Sequence, residues 1–318
     1  MVKIGIVDSG LDKDSRLMKD VIGGVGFLIE NDTLYITDEY DDECGHGTQC
    51  AQVIKNYCEM AELYIVKIVN KSGVCDSILL LQALEHLCEI DVDIINVSLS
   101  VANDNYREEF EKIIYKLHNQ GKIINISVRN GCQISFPADI SNCYGIVGKT
   151  MNDIQYEFNA DQDIQISSSL YPLFVPTISG MSQWFGGNSK ATAMMSGIMG
   201  RWKCYKDADY DIVEKNLKKN IDSAIITNVE KQYTSLQKEK VFEKISAVIE
   251  KYYCDGMISL DTKFWDGNKC RITNTYSLLC EVQEILKIDL FKTVIAYEDM
   301  YTCDTFISYI CRMLKEYR

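Results

Sequence analysis

Three short stretches carry side chains whose chemistry is complementary. Asp8 ends the run VKIGIVD and is followed by Ser9-Gly10, His46 stands between glycines in Gly45-His46-Gly47-Thr48, and Ser189 follows Gly186-Gly187-Asn188 ahead of the apolar stretch AMMSGIMGRW. Singly, each has a plain structural explanation: a strand-end Asp caps a turn, and a Ser at a helix start is an N-cap. Together they are the parts of a nucleophilic acyl transfer. A serine hydroxyl is a weak nucleophile until an imidazole removes its proton, and a carboxylate fixes the imidazole tautomer and stabilises the imidazolium. A helix N-terminus also favours the negative charge that develops beside the serine. His86 and His118, the other two histidines, fall inside amphipathic helical patterns and have no such neighbours.

The elements that must position these groups are legible as a pattern. Apolar, β-branched runs at 2–8, 63–69, 92–100, 122–128 and 144–149 alternate with helical patterns from about 46, over 76–90 and over 104–120. Strands without polar alternation are buried on both faces, and helices between them make neighbours parallel. The expected class is therefore α/β, a doubly wound and mostly parallel sheet. Ligands in such sheets sit at the C-terminal strand edges, where Asp8 lies. Beyond residue 200 the glycines reduce to Gly256 and Gly267, and all three prolines come earlier. Helical stripes at Val241, Phe242, Ile245, Val248, Ile249 and Tyr252, at Leu278, Leu279, Val282, Ile285 and Leu286, and at Phe306, Ile307, Ile310 and Leu314 predict a small all-α bundle. The expected organisation is a catalytic domain over 1–226, a linker over 227–239 and the bundle over 240–318.

Composition narrows the function. With 33 Lys+Arg against 46 Asp+Glu, the 318-residue chain carries a net charge of −13, a field that repels phosphate backbones and argues against a nucleic-acid partner. No run approaches the ~18–20 apolar residues of a membrane span, and no basic n-region precedes VKIGIVD, so a cytoplasmic protein without a membrane partner is expected. The 13 cysteines then read as reduced thiols. Cys44, His46 and Cys50 form a Cys/His cluster, but no further pair with zinc spacing follows. The acidic run Asp38, Glu39, Asp41, Asp42 and Glu43 could ligate structural calcium, yet in so acidic a chain it reads as a solvated loop. No metal or cofactor is expected.

The three motifs VDSG, GHGTQCA and GNSKA resemble, in type and order, the signatures of the subtilisin-like (subtilase) serine peptidases. LYIVKIVNKSG, DVDIINVSLS, INISVRNG with FPA, and the helix after Ser189 on to DIVEKNLKKN resemble successive core segments of that family, so the likeness covers about residues 2–225. It implies a triad of Asp8, His46 and Ser189, with Asn130 as the side-chain donor of an oxyanion hole beside the Ser189 N–H. It also implies that Ser98, Leu99 and Ser100 and, opposite them, Ser127, Val128 and Arg129 form edges between which an extended peptide adds as a strand. Arg129 beside the P1 pocket hints at an acidic or polar preference there. The chain departs from the pattern at Asn188, where the family has Thr, and at Ala193, where it has Pro; neither change removes a proton-transfer group. Only seven residues precede Asp8, so no inhibitory propeptide is expected.

More weakly, 240–318 resembles an acyl or peptidyl carrier protein, through TKFWD, ILKIDL and MYTCDT, but Lys269-Cys270-Arg271 stands where a carrier needs its phosphopantetheine serine. A degenerate carrier-like module that docks a protein partner is the expectation. The expected function is a cytosolic serine endopeptidase acting on a peptide or protein substrate, with a precursor or leader peptide as the expected dedicated substrate. The alternative is a catalytically weak or inactive scaffold that binds peptides. A cysteine site at Cys132, near Asn130, lacks a histidine in a suitable motif.

Overall fold

In the computed structural model, which describes residues 1–73, 75–101, 104–151, 155–206, 210–219, 235–267, 269–292 and 294–316, the apolar runs of the first half become one sheet. Its strands are β1 (Lys3–Asp8), β2 (Val21–Glu30), β3 (Thr33–Thr37), β4 (Glu62–Lys67), β5 (Ile94–Val97), β6 (Ile123–Ser127), β7 (Tyr144–Lys149), β8 (Tyr156–Phe158) and β9 (Ile166–Ser169). They lie in the order β3-β2-β4-β1-β5-β6-β7-β9-β8. The inner strands are parallel, and β3 and β8 close the two edges as antiparallel partners of β2 and β9.

Helices α1 (His46–Tyr57), α2 (Ser77–Leu87), α3 (Arg107–Asn119), α4 (Gly187–Lys206) and α5 (Tyr210–Lys219) cover the sheet. Side chains alternate along each strand, so Ile4 and Ile6 of β1 share one core with α1 and α4, while Val7 joins Leu80, Leu84 and Phe110 of α2 and α3 in a second core. β5 and β6 are buried at every position, as parallel strands between two helical layers must be. The strand order reverses between β1 and β5, which puts the end of β1 and the chain after β5 at the switch point. α1 and α4, which begin with His46 and just before Ser189, lie on the same face.

Several features differ from the expected pattern, β8 and β9 among them, which no expected run covers. Residues 98–100 are not strand: β5 stops at Val97 and the chain runs on irregularly. The β2–β3 hairpin has no counterpart in the expected elements. Its turn is Asn31-Asp32, both with positive φ (49° and 58°), the conformation of a two-residue hairpin loop.

The C-terminal stretch holds α6 (Ser235–Tyr252), α7 (Thr275–Leu286) and α8 (Cys303–Glu316). Their stripes are buried or half-buried as expected, except that Ile285 is 45% exposed. Short strands supplement the helices. β10 (Leu173–Pro176) pairs with β11 (Ser182–Phe185), β12 (Trp265–Asp266) pairs with β13 (Lys269–Cys270), and β14 (Ile295–Ala296) adds antiparallel to β10. Phe174 thereby enters the core of the helices, Tyr171 stacks on Tyr297 at 4.5 Å, and Trp184 Nε1 donates to Thr275 Oγ1 at 3.1 Å. Of the expected linker, 227–234 lie outside the described residues and 235–239 are the first turn of α6. All thirteen cysteines are unbridged, and no described helix is long and apolar enough to cross a membrane.

Candidate active site

Asp8, at the end of β1, is 1% exposed and fully engaged. Its Oδ1 accepts from His46 Nδ1 at 2.7 Å and from the Ser9 N–H at 2.8 Å, and its Oδ2 accepts from the Cys50 thiol at 3.5 Å. Cys50 lies one helical turn after His46 on α1, on the same face. Burial, reinforced by the Asp8 charge, pushes the thiol up to about 11, so at neutral pH it keeps the proton it donates. Burial opposes a charged His46, but the carboxylate of Asp8, with Cys50 adding to it, outweighs this and raises the imidazole well above its usual range. The ring meets Phe185 edge to face at 5.3 Å.

The loop that delivers His46 is held by Asp42. Its carboxylate accepts from the N–H groups of Cys44, Gly45 and Thr48 and from the Thr48 hydroxyl, at 2.7–2.9 Å. Gly47 packs against the Gly10 turn so closely that a Cβ there would lie 2.3 Å from Gly10 O. The reading of the acidic run as a solvated loop is thus wrong for Asp42, which is buried because three backbone donors and a hydroxyl replace its water. Asp41 and Glu43 pair with Lys13 and Lys67.

Ser189 occupies the first turn of α4. Its hydroxyl donates to Ser98 O at 3.0 Å, and Ser98 Oγ donates back to Ser189 O at 3.3 Å. Among the described residues no hydrogen bond joins Ser189 to His46. Beneath Ser98 runs a buried chain: Asn96 Nδ2 donates to Ser98 Oγ (2.9 Å), Ser196 Oγ to Asn96 Oδ1 (2.9 Å), and Asn125 Nδ2 to Ser196 Oγ (3.0 Å). Asn96 and Asn125 are register partners on β5 and β6, so this chain fixes α4 over the strand ends.

Asn130 is exposed at the end of the segment after β6, and its Oδ1 accepts from the Asn188 N–H at 3.2 Å. That fixes the amide orientation and leaves the NH₂ as donor. Gly187, with φ of 78°, permits the approach, since a Cβ there would lie 3.2 Å from Asn130 Oδ1. The departure at Asn188 has a structural use: its Nδ2 donates to Val128 O and its Oδ1 accepts from the Gly148 N–H, both at 2.8 Å. An amide fork ties the segment after β6 to β7 there, which a single threonine hydroxyl does not. Ala193 is fully buried within α4.

The two expected peptide edges differ. Ser98 O takes the Ser189 hydroxyl, while among the described residues the backbones of Leu99 and Ser100 have no partner. Opposite them, Ser127 closes β6, Val128 N donates to Ile146 O with its own carbonyl held by Asn188, and Arg129 N donates to Ser135 Oγ. The 98–100 edge has backbone groups to offer an added strand; 128–129 do so less. The Arg129 side chain is exposed.

The ligand atoms of Asp8, His46 and Cys50 lie within 4.8 Å of one another, but Cys44 is not part of that group. A metal there would replace the Asp8–His46 hydrogen bond. Cys132 is exposed, and among the described residues its thiol has no histidine partner. Asp42, Asn96, Asn125, Ser196 and the fully buried Lys190, whose Nζ lies 3.5 Å from Ser169 O and Met194 Sδ, were given no role in the sequence reading. The available signal is a polar residue inside an apolar buried run, as in IINV and IINI.

The chain is similar to known serine proteases. Residues 1–240 match the model of the subtilase family, Peptidase S8. The minor extracellular protease Epr of Bacillus subtilis (strain 168) is 23% identical over 69% of this chain and 35% of its own length. The intracellular serine protease of Paenibacillus polymyxa is 23% identical over 68% of this chain and 71% of its own. The chain thus spans about a third of the first of these relatives. Sphericase superposes with a TM-score of 0.58 at 17% identity, over 69% of this chain and 82% of that one. With the family model covering most of its length, the chain belongs to the subtilase family.

Proposed function

We propose that the chain is a serine endopeptidase in which Asp8, His46 and Ser189 form the triad and Asn130 donates to the oxyanion. The observation that carries this is the 2.7 Å Asp8–His46 bond at the same strand edge as Ser189 and Ser98. With Nδ1 committed to Asp8, Nε2 is left to act as base. Substrate arrival turns the Ser189 hydroxyl from Ser98 O toward Nε2, a bond often long or absent before substrate binds. Ser189 Oγ then bonds to the peptide carbonyl carbon as its proton passes to Nε2. The carbonyl oxygen gains negative charge between the Ser189 N–H and the Asn130 amide. The amine leaves with the proton from His46, and water, deprotonated by the same ring, releases the acid and frees Ser189.

The substrate is an extended peptide lying along Ser98, Leu99 and Ser100, with Ser127, Val128 and Arg129 opposite. Residues 1–226 are the peptidase unit and 240–318 a docking module for a substrate or partner, consistent with a dedicated processing enzyme for a precursor or leader peptide. One relative is named intracellular and one extracellular; the thirteen unbridged thiols favour the cytoplasm for this chain. A fluorophosphonate probe labels the wild type at Ser189 and does not label Ser189→Ala. Folded wild-type protein that resists the probe, yet binds peptides, establishes the second reading, a peptide-binding scaffold, which the Ser189–Ser98 hydrogen bond favours.

A further inference from the structure

Helices α1 and α4 begin at the sheet edge that holds Asp8 and pack against each other along their length. Glycine sets how closely they meet. A Cβ on Gly197 would lie 2.7 Å from Ile54 O, and one on Gly200 would lie 3.5 Å from Cys58 Sγ. Positions 197, 200 and 204 share one face of α4. The same contact therefore brings Cys204, in the last turn of α4, against Cys58, the C-cap of α1. Their sulfurs are 4.0 Å apart. At ~1.5 Å of rise per residue, this pair stands about 20 Å along the helices from His46 and from Ser189.

Neither cysteine is bridged. Cys58 is buried and Cys204 half-buried, so Cys204 is the sulfur that a small reagent reaches from solvent. Burial, with Cys204 adding to it, pushes the Cys58 thiol up to about 12, and the Lys55 ammonium, which donates to Ala61 O at 2.9 Å, works against this. Cys58 thus keeps its proton at neutral pH until a partner sulfur is activated. The two residues are 146 positions apart in sequence, and a bond across so long a stretch removes more freedom from the unfolded chain than one across a short loop.

We propose that Cys58 and Cys204 are a peroxide-sensitive pair whose disulfide clips α1 to α4 at the end away from His46 and Ser189 and stabilises the fold. Hydrogen peroxide first converts the Cys204 thiol to a sulfenic acid, with release of one water. Cys58 Sγ then attacks Cys204 Sγ. The S–S bond forms as the S–O bond breaks, and the hydroxyl leaves as a second water with the proton of Cys58. Two thiols have then given two electrons and two protons to one peroxide; a dithiol reverses the change by exchange. A disulfide needs about 2.05 Å between sulfurs. The helix backbones already touch at Gly197, so side-chain rotation closes the remaining gap and the helix starts stay in place.

Full-length protein is treated with hydrogen peroxide, alkylated and digested with trypsin. The expected product is peptide 56–67, which holds Cys58, joined to peptide 204–206, which holds Cys204, and released by dithiothreitol. The oxidised protein is expected to melt at least about 5 °C above the reduced one. Cys204→Ser, at the more exposed position, loses both the joined peptides and the rise, and Cys58→Ala does the same; the Tm of each in dithiothreitol shows that it folds. Absence of the joined peptides, joined peptides without a rise in Tm, or a rise that persists in Cys204→Ser overturns the proposal. Neither readout involves turnover, so the pair stands or falls apart from the peptidase reading.

Discussion

In the proposed role His46 must be neutral to act as a base, while the buried Asp8 carboxylate favours its charged form. Because Asp8 raises its pKa well above the ordinary value of about 6.5, the neutral form gains ground only at higher pH than for a free histidine. The expected result is a kcat/KM profile whose acid limb lies well above that of a free histidine. Asp8→Asn moves the limb down and lowers kcat by about 10⁴, a magnitude borrowed from the corresponding change in a serine peptidase of unrelated fold. The same linkage acts on stability. The ion pair's contribution is complete below the unfolded histidine's pKa and is lost as pH rises through the folded one. The difference in Tm between wild type and Asp8→Asn should therefore shrink toward alkaline pH, and a constant difference would contradict the raised pKa. Asn130→Ala should cost about 10²–10³ in kcat with KM little changed, a scale known from subtilisin itself; an unchanged kcat would remove Asn130 from the oxyanion site. The motifs around Asp8, His46 and Ser189 were readable because their glycine neighbours make them local. The role of Asp42 was not, since an acidic run reads as solvated and only the fold of its loop turns this one carboxylate inward onto the Cys44, Gly45 and Thr48 donors; Cys50 was visible at helical spacing from His46, but its bond to Asp8 was not.

At the level of elements, the site depends on α4 holding its place over β5 and β6. The chain Asn125–Ser196–Asn96–Ser98 does this with buried polar groups, which are worth little net when satisfied and cost much when one partner is lost. Ser196→Ala leaves Asn96 Oδ1 and the Asn125 amide short of a partner and should destabilise the fold by about 1–3 kcal/mol in urea titrations. A loss under about 0.5 kcal/mol would mean that water or a shifted side chain replaces the hydroxyl. The parallel strands were readable because burial on both faces leaves continuous β-branched runs. The β2–β3 hairpin was not: VIGGVGFLIE is half-exposed and glycine-rich, and its Asn-Asp turn is a weaker signal than Asn-Gly. Likewise β5 ends early because Ser98 turns inward to Ser189 instead of continuing a ladder, a tertiary bond invisible in DIINVSLS.

Across the whole molecule, the C-terminal stretch is built into the site's support more than the helical stripes suggested. β14 pairs with β10, β10 pairs with β11, and β11 ends in Phe185, whose ring meets the edge of His46, two residues before α4 begins. The short strands β12–β14 carry too few residues to leave a periodic signal, so this contact was hidden in a region that reads as helices alone. Ending the chain at residue 228 would strip one side of β10 and expose Phe174, now 3% exposed, for about 1.5–3 kcal/mol from that side chain alone. It would also remove Thr275, the acceptor of the Trp184 indole N–H. The truncated protein should therefore melt several degrees below the full chain and show a lower kcat even on short peptides. Equal melting temperatures and equal kcat on short peptides would mean that β10 and β11 hold Phe185 without β14, reducing the C-terminal helices to an appendage.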